Sequence, residues 1–290
     1  MFGFELDVLL FIQSMRTDLL NMLFQGVTTL GEEIIIVLLV AILYFCIDKL
    51  FAQKLLYTLL TSIGINGIVK NLVKFPRPFS TGKITCVREG TATGYSFPSG
   101  HTQSFATTST TIAKKVKKGW VAIIVGILIA LVAFSRLYLG AHYPSDVVVG
   151  AVLGITIAIV GSIFFDKIKN KKWLYLGTIL IELPFVIFFL ITPDVEYEDF
   201  FKAFGMIVGF LLAVMFEEKY APLEYNIGTG KKVLRVLIGV ALALIVKEGL
   251  KLIFVSNLLG VTLLLEALRY GMLIFATLGI GPWIFKKLKI

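Results

Sequence analysis

Residues 119–138 read GWVAIIVGILIALVAFSRLY and carry no charge until Arg136. At about 1.5 Å of rise per residue, a helix of this run crosses a hydrocarbon core about 30 Å thick. Inside lipid a lone segment satisfies its backbone only as a helix. Working outward, comparable apolar runs lie near 31–48, 52–75, 99–116, 145–166, 173–192, 199–216, 233–255 and 260–285. The expected fold is all-α, a polytopic membrane helical bundle of about nine transmembrane helices. Composition agrees: 57% hydrophobic residues, 16% charged ones and a mean hydropathy of +0.89 exclude a soluble globule with a covered polar surface.

The opening segment, Phe4 to Gln25, is interrupted by Asp7, Arg16 and Asp18 and keeps its apolar residues on one side, so residues 1–30 are expected to form an interfacial helix. A net charge of +9 raises the question of nucleic acid. The lysines fall in short clusters between apolar runs, without one continuous basic face, so no nucleic-acid partner is expected and the charge reports orientation. Lys114, Lys115, Lys117 and Lys118, then Lys167, Lys169, Lys171 and Lys172, then Lys231, Lys232 and Arg235, and finally Lys286, Lys287 and Lys289 share one side if nine spans alternate. That side is expected to be cytoplasmic, in an integral protein of the plasma membrane. Lys74, Arg77, Lys83 and Arg88 break the rule on the opposite side, as an anion site would.

Only two histidines occur, and both lie in polar clusters at the outward ends of apolar runs. Lys70 precedes Arg77 by seven positions, nearly two helical turns, so both aim one way if the helix persists to Pro76 and Pro78. Snorkelling interfacial cations would give the same pattern. Ser99 is placed as the N-cap of a helix that begins Gly100-His101, where free amides and a missing side chain admit an anion. Pro98-Ser99-Gly100 is also an ordinary turn. Pro144 suits a helix start, which puts His142 just outside and Asp146 in the first turn. There the carboxylate can fix the tautomer of the ring and free its other nitrogen. A buried His-Asp pair that holds a loop is the plainer alternative, but it leaves Arg136, a planar fork of donors suited to phosphate, unexplained.

Lys70-(six)-Arg77-Pro78, Pro98-Ser99-Gly100-His101 and Ser135-Arg136-(five)-His142-(three)-Asp146, in this order, resemble the signature of the type 2 phosphatidic acid phosphatase (PAP2) superfamily. The resemblance covers about residues 50–165. It implies that His142 attacks phosphorus to form a phosphohistidine, oriented by Asp146. His101 would protonate the leaving oxygen and then activate water, while Lys70, Arg77, Ser99, Gly100 and Arg136 hold the phosphoryl oxygens. It also implies no metal and no cofactor. Elementary chemistry is compatible, since phosphoryl transfer asks chiefly for positioning and positive charge around three oxygens.

The expected organisation is an interfacial segment at 1–30, a PAP2-like catalytic core at 31–172 and a C-terminal transmembrane extension at 173–290. The expected activity is a lipid phosphatase whose substrate head group meets the site at the outer face. An isoprenoid diphosphate or monophosphate of the undecaprenyl type ranks first, then phosphatidylglycerol phosphate and phosphatidic acid. A lipid-linked phosphotransferase would carry the same residues, and a non-catalytic lipid binder or transporter would need the cations without the histidine pair. In the extension, Lys247 or Lys251 is expected to pair with Glu266, and Glu248 with Arg269, because charge at membrane depth is costly unless paired. Glu182, beside Pro184, is a lone case.

Overall fold

The computed structural model describes residues 2–290, and among them every regular element is helical. In chain order these are α1 (Phe2–Ser14), α2 (Asp18–Thr29), α3 (Glu33–Ile42, prolonged by a π turn at Leu43–Ile47), α4 (Lys49–Val73), α5 (Gly100–Val116), α6 (Gly119–Tyr138), α7 (Pro144–Lys167), α8 (Lys171–Ile191), α9 (Glu198–Tyr220), α10 (Thr229–Ile253), α11 (Leu259–Phe275, prolonged by a π turn at Ala276–Ile280) and α12 (Gly281–Leu288). Helix occupies each of the nine expected segments. Six helical segments are long and apolar enough to cross a membrane, or up to seven if α2 and the stretch 34–47, bent by 41°, count as one. The difference from nine has a local cause. α5 has only 17 residues and is rich in Ser and Thr, while α10 carries Lys231, Lys232, Arg235, Lys247, Glu248 and Lys251. The opening segment is two helices, because the Thr17 side chain caps α2 by accepting from the Leu20 amide and so ends α1 before it.

The chain divides into two compact units. The first holds the residues up to Ile36 together with Ile65–Ser162. In it, α5 and α6 form a hairpin turned by Lys117 in the left-handed conformation at φ 56°. Glycines on α7 let its backbone lie directly on the start of α5: a Cβ at Gly150 would fall 2.7 Å from the Ser99 carbonyl oxygen, and one at Gly154 2.5 Å from that of Gln103. Thr107 Oγ1 donates to the Gly154 carbonyl across the same seam. This contact holds the Ser99–His101 turn beside the start of α7.

The second unit holds Val37–Gly64 and Ile163–Ile290. Its most intimate seam joins α9 to α11, where a Cβ at Gly205 would overlap the Ala267 carbonyl and one at Gly209 that of Gly271. Small residues at such crossings let membrane helices gain close packing where lipid supplies no hydrophobic drive. Lys49 pairs with buried Glu217 at 2.7 Å, and Arg235 donates to the carbonyls of Phe45, Glu224 and Ile290. The expected cross-helix pairs are not the ones formed. Glu266 bonds Arg269 at 2.7 Å, three residues along α11, since neighbours one turn apart meet without reorganising two helices. Glu182 is buried on α8 against Gly64.

Candidate active site

Every residue singled out in the two histidine clusters and on α4 lies in the first unit. Lys70 sits in the last turn of α4, and its Nζ donates to the Tyr95 carbonyl at 2.6 Å. The helix does not persist to Arg77. It ends at Val73, Lys74 turns into the left-handed region at φ 51°, and Pro76 disfavours helix at the residue before it. Arg77 is extended, at φ −77° and ψ 154°, so a reversal of the chain, and not helical phase, brings it to the site. There its Nε donates to the Gly94 carbonyl at 2.8 Å, Nη2 to that of Thr93, and Nη1 to that of Ala141 at 3.0 Å. The segment 93–95 thus gives three carbonyls to two cations.

Ser99 is the N-cap residue of α5, as expected. Its hydroxyl lies 3.1 Å from Thr102 Oγ1, and its amide donates to the Asp146 carbonyl at 3.0 Å. Asn66 braces this turn, donating to the Pro98 carbonyl and to Gln103 Oε1 at 2.8 Å. Gly100 begins the helix, and His101 follows in its first turn.

Arg136 lies in the last turn of α6 and is 1% exposed. One terminal nitrogen donates to Thr28 Oγ1 at 2.9 Å, while Nε and the other terminal nitrogen are buried without a partner among the described residues. Unpaired buried donors on a cation are costly, and an anion would satisfy both. His142 lies in the turn before α7, fully buried, with Nδ1 3.3 Å from Asp146 Oδ2. The same oxygen accepts from the Tyr143 amide at 2.8 Å and from the Ser96 hydroxyl. On the far side of the ring, Arg77 Nη1 is 3.2 Å from Nε2. A guanidinium can only donate. Nε2 therefore holds a lone pair, and Nδ1 carries the proton toward Asp146. The tautomer follows from the partners on both sides of the ring.

The electrostatics are one-sided. Burial, then the charges of Arg77, Arg136 and Lys70, hold the His142 imidazole well below its usual range. Burial, then Arg136, Lys70 and Arg77, push His101 down to about 3. These surroundings keep both rings neutral near pH 7. An anion placed among these cations opposes the same repulsion and favours protonation of the more open ring, His101. Arg88 adds a further cation from the loop after α4, paired with Glu32 at 2.6 Å. Among the described residues no three His, Cys, Asp or Glu side chains are grouped to hold a metal ion.

Four supporting residues escaped the sequence reading: Asn66, Ser96, Gln103 and Thr28. They are polar groups inside or beside apolar helices, and nothing in their spacing marks them. Asn66 alone left a local trace, lying one helical turn before Lys70 on α4.

Comparison with known proteins bears on this arrangement. Residues 51–170 match the PAP2 superfamily, and residues 201–290 match the PAP2 superfamily phosphatase transmembrane extension. The chain is 30% identical over 171 residues to a phosphatidylglycerophosphatase B of Bacillus subtilis, across 54% of this chain and 81% of the relative. The chain belongs to the PAP2 superfamily. A further relative, an undecaprenyl-diphosphatase of Sulfolobus acidocaldarius, is 29% identical over 153 residues, 52% of this chain and 74% of that one. The crystal structure of the Bacillus subtilis transmembrane PAP2 type phosphatidylglycerolphosphate phosphatase covers 57% of this chain and 86% of its own, at 25% identity and a TM-score of 0.49. All the candidate residues fall within the PAP2 match, and α10–α12 with all of α9 beyond its first three residues fall within the extension. The protein is thus an integral-membrane phosphatase of the PAP2 type with a transmembrane extension.

Proposed function

We propose that this PAP2 protein hydrolyses a lipid phosphate or diphosphate through a phosphohistidine. His142 Nε2 attacks phosphorus as the bond to the leaving oxygen breaks, and His101, protonated in the complex, gives that oxygen its proton. The Nδ1 proton stays on His142, facing Asp146, which stabilises the charge the ring acquires. Water then attacks the phosphohistidine, His101 takes a proton from it, and inorganic phosphate leaves with His142 restored. Lys70, Arg77, Arg136, the Ser99 hydroxyl and the amides at Gly100 and His101 surround the transferring oxygens. Binding replaces the Arg77–Nε2 contact with one from Arg77 to phosphate, which frees the lone pair at the moment the electrophile arrives.

One observation carries this reading. The nitrogen of His142 turned away from Asp146 is the one left with a lone pair, and it faces a guanidinium. A loop-bracing histidine needs no such arrangement. The relatives named for undecaprenyl diphosphate and for phosphatidylglycerophosphate support a lipid substrate. An isoprenoid diphosphate of the undecaprenyl type is our first assignment, ahead of phosphatidylglycerol phosphate and phosphatidic acid. We assign the site to the outer face of the plasma membrane, because α5 and α7 begin at the site and end in the lysine clusters 114–118 and 167–172.

The test is phosphate release by purified protein, with EDTA present, from a panel of lipid mono- and diphosphates, beside His142→Ala. We expect release by the wild type alone. Full activity of His142→Ala, or no release from any lipid without an added acceptor, would overturn the proposal.

A further inference from the structure

The turn that carries His142 is tied at both ends to the N-terminal segment, by Arg16 between α1 and α2 and by Glu5 on α1. At its start, the Tyr138 carbonyl, the last of α6, accepts two bonds from Arg16, at 2.9 Å from Nε and 2.6 Å from Nη2. At its end, the Ser145 amide, in the first turn of α7, donates to Glu5 Oε1 at 2.8 Å. Arg16 Nη1 also reaches the carbonyl and the hydroxyl of Thr85, at 2.9 and 2.8 Å, and Gln13 Oε1 accepts from the Thr85 amide at 2.8 Å. Between the two ties Gly140 stands at φ +76°, with no room for a side chain: a Cβ would lie 2.5 Å from the Thr85 carbonyl and 2.9 Å from Arg16 Nη2. Leu9 packs on Tyr143 and Ile84, and Ile12 on Tyr138 and Leu139.

These contacts cover the back of the turn. Arg16 and Glu5 are bonded to the backbone at its two ends, Tyr138 and Ser145. Glu5 is 8% exposed, whereas Phe4 and Phe11 on the same helix are 77% and 68% exposed. A carboxylate spent on a helix N-terminus, and a guanidinium spent on a helix C-terminus, are charges matched to both dipole ends.

We propose that Arg16 and Glu5 are positioning residues, which fix the His142 turn so that Nε2 and Asp146 stay in register with the phosphate cradle. This rests on the phosphohistidine reading above. A nucleophile displaced by about 1 Å loses on the order of 100-fold in rate, while the cradle of Lys70, Ser99 and Arg136 still binds phosphate.

The experiment compares wild type, His142→Ala, Arg16→Ala, Glu5→Ala and Glu5→Gln, each shown folded by gel filtration and thermal unfolding. Three readouts are taken: kcat and KM for the lipid, inhibition by inorganic phosphate, and amide hydrogen exchange of peptides spanning 139–146. We expect kcat to fall about 10- to 100-fold in Arg16→Ala, with KM and phosphate inhibition within about twofold, and exchange to rise in 139–146 but not in 100–116. Glu5→Gln, which keeps the acceptor oxygen, should restore most of what Glu5→Ala loses. Wild-type kcat and exchange in Arg16→Ala and Glu5→Ala, or equal defects in the two Glu5 variants, would overturn the inference. Activity in His142→Ala would instead overturn the reaction itself, and the exchange of 139–146 would still decide whether Arg16 and Glu5 hold the turn.

Discussion

Replacing Asp146 with Asn tests the charge of this residue most directly. In the native site Asp146 Oδ2 accepts from His142 Nδ1, the Tyr143 amide and the Ser96 hydroxyl, and Arg77 Nη1 donates to Nε2. An asparagine of the same shape keeps its oxygen at the Oδ2 position, where the Tyr143 amide and the Ser96 hydroxyl hold it, and so still accepts from Nδ1. What it loses is the negative charge that stabilises the ring once Nε2 has bonded phosphorus. Removing one such electrostatic stabiliser costs about 10²–10³-fold in turnover, on the order of 3–4 kcal/mol at about 1.36 kcal/mol per decade. The buried position is isosteric, so we expect the fold to survive. The assay is phosphate release at saturating lipid, with single-turnover acid quench to read the phosphohistidine. A kcat for Asp146→Asn within tenfold of the wild type would show that the charge of Asp146 is not what stabilises the phosphorylated ring.

Arg136→Lys should lower kcat/KM by at least about 100-fold, because a point charge cannot reproduce the two unpartnered donors that face the site while also holding Thr28; wild-type kinetics in this variant would remove Arg136 from the cradle. The neutral histidines also predict an acid-sensitive fold. The unfolded chain takes up protons on His101 near pH 6.5, whereas the folded protein resists protonation there until about 3. Stability is therefore complete above about 6.5 and falls as pH drops from there toward 3, by up to about 1.4 kcal/mol per pH unit for each such histidine. Thermal unfolding between pH 7 and 4.5 should lose less in His101→Gln than in wild type, and equal losses would refute the assignment. Gly209→Ala should lower the unfolding midpoint of the extension, at a cost of about 1–3 kcal/mol, since the added methyl meets the Gly271 backbone carbonyl on α11; an unchanged midpoint would mean that the seam yields.

Much of the site was legible because its signals are local. Pro144 marks a helix start, so His142 and Asp146 fall one turn apart, and Ser99 before Gly100 reads as an N-cap. Each assignment needs only a few neighbouring residues. Arg77 shows where that logic stops. Its spacing from Lys70 was right for a helix, yet Lys74 and Pro76 end the helix and a loop delivers the side chain instead. Thr28 bonds Arg136 from 108 residues away, and Ser96 bonds Asp146 from 50, distances over which no periodicity speaks. The charges of the extension erred the other way. Cross-helix pairs were expected for Glu266 and Arg269, but the two were already neighbours on α11. The nine apolar runs located the helices, but α3 and α5 are too short, and α10 too charged, to pass as spans by themselves. The opening run divided because Thr17 acts as a cap, which apolar periodicity does not register.

The glycine seam between α9 and α11 also has a consequence for biosynthesis. Gly205 and Gly209 are translated some 60 residues before Ala267 and Gly271, the groups that fill their notches. α9 must therefore enter the bilayer and wait there while α10 is made. A soluble helix in that position would expose a greasy, aggregation-prone face. For α9 the notch is filled meanwhile by lipid tails, at little cost, because the drive to pair comes from close packing and not from escape from water. α11 thus closes on α9 only once it has itself been made, and a ribosome stalled before residue 267 would leave α9 intact but unpaired.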